Sequence, residues 1–477
     1  MLFTLSLAFL AGCTTNPATG EKQFTALLSP KQEALVGAQE HEKIQATYGE
    51  FVSGPLAEYV RNIGYKIAVN TELEDVQYQF FVLDSPVVNA FALPGGYIYV
   101  SRGLLALANN EAELAAVIAH EIGHVTGRHA AERVSQNFLS SLGATILSAA
   151  VDVPGVGNAA GLGSELYIKS YSRDQEHEAD GLGVRYLARA GYDPGAMANF
   201  LSSLEAHDAL EAKLAGRSGK RAFSYFSTHP RTQDRIESSA REASSHEGLG
   251  GSQSTFREAY LKKIRGLVYG YSVQQGFVRG RNFYHPDIGF TFSVPPGFLV
   301  KNYPSQVVAT NTDGSVILFD ADKNKDQVDP LTYLTRHWMR GEKLSDAESI
   351  TVNGIPAATA AFPAKLNGKA MTIRLVAIEW EPGHYFRFQL SIPNDVSTAF
   401  LEELKKSTYS FRRLMSFEKT IKPTTIRLIT VGSGDTVASV AQRMDVEPYK
   451  EERFRVLNGL GPQDKLIIGR QYKIIVN

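Results

Sequence analysis

The run His120-Glu121-Ile122-Gly123-His124 sets two imidazoles four residues apart with a carboxylate beside the first. On a helix such a pair shares one face. Two neutral imidazoles one turn apart can each give a nitrogen to the same zinc ion at about 2.0–2.1 Å. Glu121 then stands beside the metal, where it can take a proton from an attacking water whose pKa zinc lowers to about 7. A catalytic zinc keeps three protein ligands and one open position, so a third ligand is needed. Position 130 is Ala, which removes a histidine six residues after His124. His129 falls about 180° from His120 at 100° per residue and is expected to be a packing or surface residue. A better source lies downstream, in Ser172-Arg-Asp-Gln-Glu176-His-Glu178-Ala-Asp180. Glu176 and Asp180 share one helical face while Glu178 points away. One carboxylate from this second helix can be the third ligand, backed by the other acid of the pair, which can orient a ligating histidine. The set implies one Zn2+ per chain.

Two helices must position these groups. From Asn110 to Val125, the residues Leu114, Val117, Ile118, Ile122 and Val125 form one apolar stripe, and the two histidines fall on roughly the opposite side. Asn110 with Glu113 three residues on resembles a capping box. Ala116, Gly123 and Gly127 leave room on the imidazole flank for another element or a substrate. The second helix runs from about Arg173 to Gly191, and Asp193-Pro194 starts a third.

His-Glu-Ile-Gly-His followed 52 residues later (124 to 176) by the Glu176-x-x-Ala-Asp180 pattern resembles the CAAX-prenyl-protease-like gluzincins, in particular their soluble bacterial branch of periplasmic lipoprotein metalloproteases. Asn89-Ala-Phe-Ala-Leu-Pro-Gly-Gly96 and Ser227-Thr-His-Pro230 agree with it, and the resemblance covers about residues 30–245. It implies a mainly helical zincin-like domain with a small sheet, zinc held by His120, His124 and Glu176, and Asp180 in support. It also implies that His229 sits near the metal. There it could cap the fourth coordination position in a resting state or hydrogen-bond the developing oxyanion. Strands are expected at 76–83 and 97–101. In the resembled family this edge flanks the cleft, where it could bind an extended peptide or be ordinary sheet.

The flanking sequence supplies an address. Residues 1–13 are an apolar run ending in Leu10-Ala-Gly-Cys13, which looks like a lipobox, so 1–12 are expected to be a signal peptide and Cys13 a lipid attachment point. No Lys or Arg stands in the first residues. Thr14, where Asp would signal retention, favours the periplasmic side of the outer membrane. Polar residues 13–30 then read as a tether, and 31–245 as the peptidase domain. Within it, 138–166 is rich in Gly, Ala and Ser, and reads as a helix plus loop, a cover over the cleft or a membrane-dipping segment.

Beyond a 246–280 linker, alternating strand patterns mark a separate α+β domain at 281–415, whose His285, His337 and His384 are too scattered for a second metal site. Residues 424–477 are similar to a LysM module of βααβ form, through Gly434-Asp-Thr436 and Leu457-Asn-Gly459. That likeness implies peptidoglycan binding, weakened by Ile468 where Pro is usual; a structural cap is the other reading.

The expected fold class is therefore α+β multidomain. Lys+Arg 49 against Asp+Glu 50 gives net charge −1 with no like-charge block, which argues against nucleic-acid partners. The single cysteine excludes an internal disulfide framework. The expected function is a zinc-dependent envelope endopeptidase acting on misfolded or unassembled proteins, with Glu121 as general base. Its competitor is a non-catalytic, zinc-stabilised envelope lipoprotein that binds peptidoglycan or assembly partners.

Overall fold

Buried on nearly every face, the helix carrying His120 and His124 lies at the heart of the first of two units in the computed structural model. One unit runs to Tyr269 and resumes at Thr424; the other is Gly270–Pro423. Helices and sheets segregate within both, which makes the chain an α+β protein of more than one domain. The structure describes residues 13–25, 27–136, 170–214, 225–230, 234–246, 254–303, 305–366 and 368–477. The leader 1–12 and the stretch 138–166 lie outside the described residues, as does the Cys13 side chain.

The first unit opens with a hairpin of β1 (Cys13–Thr15) and β2 (Lys22–Phe24), within the stretch expected to be a tether. Helices α1 (Pro30–Tyr48) and α2 (Pro55–Ala68) follow, the first started by a capping box in which Ser29 and Gln32 exchange side-chain and backbone bonds. A small sheet then forms from β3 (Gln79–Leu83), β4 (Ala90–Leu93) and β5 (Tyr97–Ser101) in the order β3-β5-β4. The expected strand 76–83 begins three residues late, at Gln79. The strand 97–101 is paired on both sides, parallel to β3 and antiparallel to β4, so the sheet edges belong to β3 and β4. Short α3 (Arg102–Leu107) leads into α4 (Glu111–Thr126), the histidine helix. Asn110 caps it by accepting from the Glu113 N–H at 2.8 Å, and the Glu113 carboxylate turns back to Asn109 N–H at 2.8 Å. Helices α5 (Arg173–Arg189), α6 (Ala196–Leu214), α7 (Asp234–Ser245) and α8 (Arg257–Ile264) complete the bundle.

The chain's last segment contributes β6 (Thr425–Thr430), α9 (Val437–Ala441), α10 (Lys450–Leu457) and β7 (Gln471–Val476), with β6 and β7 antiparallel. Ile426 joins the main apolar core beside Leu261 and Ile264. Lys473 is fully buried, and its ammonium donates to the carbonyls of Ala106, Leu107 and Ala108 at 2.8, 3.0 and 2.7 Å. These carbonyls lie at the C-terminal end of α3, where a cation is favoured and orphan acceptors need donors. Burial pushes the Lys473 amine down to about 7, with the Glu113 carboxylate acting against it.

The other unit holds a seven-stranded antiparallel sheet in the order Ser345–Val352, Ile355–Leu366, Lys369–Glu381, His384–Pro393, Val316–Lys323, Gln306–Thr310, Leu299–Tyr303. A four-stranded sheet and the helix Thr398–Tyr409 accompany it. Its core is aromatic, with Phe290, Phe292, Phe319, Phe386, Phe388 and Phe411 in mutual contact.

Lys473→Met should strand three carbonyls at the start of the histidine helix. A loss of about 2–4 kcal/mol in urea unfolding is expected, against little change for Lys465→Met, whose side chain is exposed.

Candidate metal centre

Helices α4 and α5 cross with almost no space between them. A Cβ on Gly123 would meet the Ala179 carbonyl at 2.9 Å, and one on Gly183 would meet the His120 N at 3.2 Å and Met197 Cε at 2.6 Å. Glycine at both positions lets the two backbones approach, which is the use foreseen for Gly123. The crossing brings His120, His124 and Glu176 to one point, and the short helical turn Tyr225–Thr228 delivers His229 to the same point. All four side chains are buried, with donor atoms within 4.8 Å of one another.

The individual separations are informative. His120 Nε2 lies 3.0 Å from His124 Nε2 and 3.2 Å from His229 Nδ1; Glu176 Oε1 lies 3.0 Å from His229 Nδ1 and 3.4 Å from His124 Nε2. Zinc–nitrogen bonds of about 2.0–2.1 Å in a tetrahedron put ligand atoms about 3.3 Å apart. These four spacings are close to such an edge, and the whole donor set lies within 4.8 Å. The outer ring nitrogens are committed elsewhere: His120 Nδ1 faces Asp180 Oδ1 at 2.8 Å, and His124 Nδ1 faces His129 Nδ1 at 2.8 Å. Protons on the outer nitrogens leave lone pairs on the inner ones. Imidazole lone pairs and a carboxylate facing one another without water repel unless a cation lies between them. The residues therefore fit a divalent metal, and two or three imidazoles with one carboxylate in a tetrahedron suit zinc.

Electrostatics separate the carboxylates. Burial raises the Glu121 carboxyl, only partly offset by His229 and His120, and neither of its oxygens has a hydrogen-bond partner. Burial also acts to raise Glu176 and Asp180, but His229 and Arg235 hold the first well below the usual carboxylate range, and Arg235 and His120 depress the second. His124 is driven well down, chiefly by burial, which keeps it neutral. Aromatic rings fix the imidazole planes. Tyr171 stacks on His124 with centroids 3.9 Å apart, and Tyr225 on His229 at 4.3 Å.

Arg235, on α7, carried no signature in its spacing. Its guanidinium is buried, bidentate to Asp180 at 2.7 and 2.8 Å, and reaches Glu176 Oε2 at 2.7 Å. Only its position six residues after His229 hinted at a place nearby. His129 is buried, as the packing reading has it, but its ring meets His124 Nδ1 at 2.8 Å instead of lying on the far side of the helix. Helix α4 ends at Thr126, and Arg128 takes a φ of 53°, so the helical period does not extend to residue 129.

With this geometry in view, the comparisons are specific. Residues 56–243 match the model of peptidase family M48. The chain is 32% identical over 188 residues to the beta-barrel assembly-enhancing protease of Yersinia pestis, covering 38% of this chain and 39% of that one. It is 27% identical over 270 residues to the protein of the same name from Escherichia coli K12, covering 54% and 53%. It is 30% identical over 207 residues to the mitochondrial metalloendopeptidase OMA1 of Schizosaccharomyces pombe, covering 43% and 59%. The chain thus spans about half the length of these relatives. Among the described residues, no helix is long and apolar enough to cross a membrane.

Removing Arg235 leaves two buried carboxylates without their cation. Arg235→Met should cost the metal-free protein about 3–5 kcal/mol in urea unfolding, and Arg235→Lys should recover little because an ammonium cannot bridge both acids.

Proposed function

We propose that this chain is a zinc-dependent endopeptidase of the bacterial envelope, with His120, His124 and Glu176 as metal ligands and Glu121 as general base. The observation that carries this reading is the convergence of four buried donor atoms within 4.8 Å of one another, with the Glu121 carboxylate, which makes no hydrogen bond, beside them. A zinc ion held there supplies Lewis acidity, which polarises the scissile carbonyl and acidifies water to a pKa of about 7. Glu121 accepts the proton of the attacking water on a carboxylate oxygen and returns it to the leaving amine. Its burial raises its basicity toward that task. Asp180 holds His120 by its outer nitrogen, and Arg235 fixes Asp180 in turn.

His229 gives the site a closed form. Its Nδ1 lies on the donor polyhedron, and its Nε2 is 3.5 Å from Glu121 Oε1. A catalytic zinc needs one open position, so His229 withdraws when substrate enters, and from a withdrawn position its ring can donate to the oxyanion. The relatives named beta-barrel assembly-enhancing proteases support misfolded or unassembled envelope proteins as substrates. The Leu10-Ala-Gly-Cys13 run supports lipid attachment at Cys13 on the periplasmic side of the outer membrane. For the LysM-like segment 424–477, the burial of Lys473 against α3 favours a structural cap over peptidoglycan binding.

Glu121→Gln should retain one zinc per chain by metal analysis yet lose about 10²–10⁴-fold in peptide hydrolysis; unchanged turnover would overturn the general-base assignment. His229→Ala should keep its zinc and cleave an unfolded protein such as casein faster than wild type. Slower cleavage would instead mark His229 as an oxyanion donor without a capping role.

A further inference from the structure

The two metal-facing histidines of α4 are supported differently. His120 is held at its outer nitrogen by Asp180, from the other ligand helix. His124 is held by a path that leaves the residues matched to family M48 altogether. Its Nδ1 meets His129 Nδ1 at 2.8 Å. His129 Nε2 faces Glu178 Oε2 at 3.5 Å, and Glu178 Oε1 accepts from Asn16 Nδ2 at 2.6 Å. Asn16 is 2% exposed and sits in the turn between β1 and β2, forty residues before the matched 56–243 begin.

Taking His124 Nε2 as the metal-facing nitrogen assigns the proton directions along this path, whose His129 Nε2–Glu178 step is an electrostatic approach at 3.5 Å and not a hydrogen bond. With His124 Nε2 turned to the other donors, Nδ1 carries the hydrogen and His129 Nδ1 accepts it. His129 Nε2 then carries the second hydrogen and faces the Glu178 carboxylate. The Asn16 amide orientation follows from its other bonds, because Oδ1 accepts the Ala18 N–H at 2.9 Å and the Thr19 N–H at 3.4 Å, which leaves Nδ2 for Glu178. The hairpin is fastened to its surroundings by further contacts. Arg185 of α5 donates to Ala18 O at 2.8 Å, and Arg128, just past α4, donates to Thr25 Oγ1 at 3.3 Å and Leu28 O at 2.6 Å.

We propose that the N-terminal hairpin is part of the metal centre: through Asn16, Glu178 and His129 it positions the His124 imidazole and stabilises its metal-binding tautomer. Asn16, Glu178 and His129 are positioning residues acting through His124, and the proposal rests on His124 being a zinc ligand. Outer partners of ligating histidines set ring orientation and ligand basicity. Here that partner arrives from a hairpin whose first residue is Cys13, so a lipid carried there would lie three residues from the relay.

Zinc affinity, measured on the full chain by competition with a chromogenic chelator, tests this. His124→Ala should abolish tight binding; if it binds as wild type, His124 is no ligand and the relay falls with it. With that arm satisfied, His129→Phe should weaken zinc about 10–100-fold and Asn16→Ala about 3–10-fold. His129→Gln, which keeps an acceptor for His124 and a donor for Glu178, should recover most of the loss. A merely structural histidine would not be rescued by an acceptor while Phe fails. Wild-type affinity in both Asn16→Ala and Glu178→Ala would overturn the hairpin's role and leave the His124 assignment standing. The metal-free unfolding midpoint of His129→Gln should match that of His129→Phe within the spread of surface variants, so that the affinity difference reports on the ligand and not on the fold.

Discussion

The close crossing of α4 and α5 is the constraint on which the rest of the site depends. Gly123 lies under the Ala179 carbonyl and Gly183 under the start of the His120 turn, so a side chain at either would push the helices apart. Ligand geometry tolerates shifts of only a few tenths of an ångström. A separation adequate for ordinary helix packing, at about 8–10 Å between axes, would carry Glu176 out of reach of the imidazoles. The apolar residues behind α4, including Leu114, Val117, Ile118 and Ile122, are fully buried and hold that face in place.

Within this contact the protein concentrates charge at buried positions. Glu121, Glu176 and Asp180 are all buried, and so are His120, His124, His129 and His229. One guanidinium, Arg235, serves two of the carboxylates and leaves the third without a hydrogen-bond partner. The same residue type therefore acquires two characters. Glu176, beside Arg235 and His229, is held ionised, whereas Glu121, without a hydrogen-bonded cation, is made more basic by burial. Environment sets the division of roles between a ligand and a base.

Segments outside the M48 match are built into this domain by polar contacts at buried positions. Lys473 closes the end of α3 just ahead of the N-cap of α4, and Asn16 reaches Glu178 at the side of α5. The first contact lies just ahead of the histidine helix, and the second is made on α5, which carries Glu176. Buried polar groups of this kind are costly when half satisfied, so they specify a single docked arrangement for the segments that bear them.

Local chemistry was legible in the sequence. The four-residue spacing of His120 and His124, the Asn110 cap, and the Glu176–Asp180 pair follow from the 3.6-residue period, which any reader can apply without coordinates. Glycine at 123 announced a close approach because nothing else needs the missing Cβ. What the period could not reach was decided by tertiary structure. Arg235 bridges two acids from a helix with no metal-site pattern, His129 turns inward only because α4 stops at Thr126, and Asn16 meets Glu178 across 162 positions of chain. Such contacts join residues whose spacing along the chain has no relation to their distance in space, so they exist only once the core has brought the helices together.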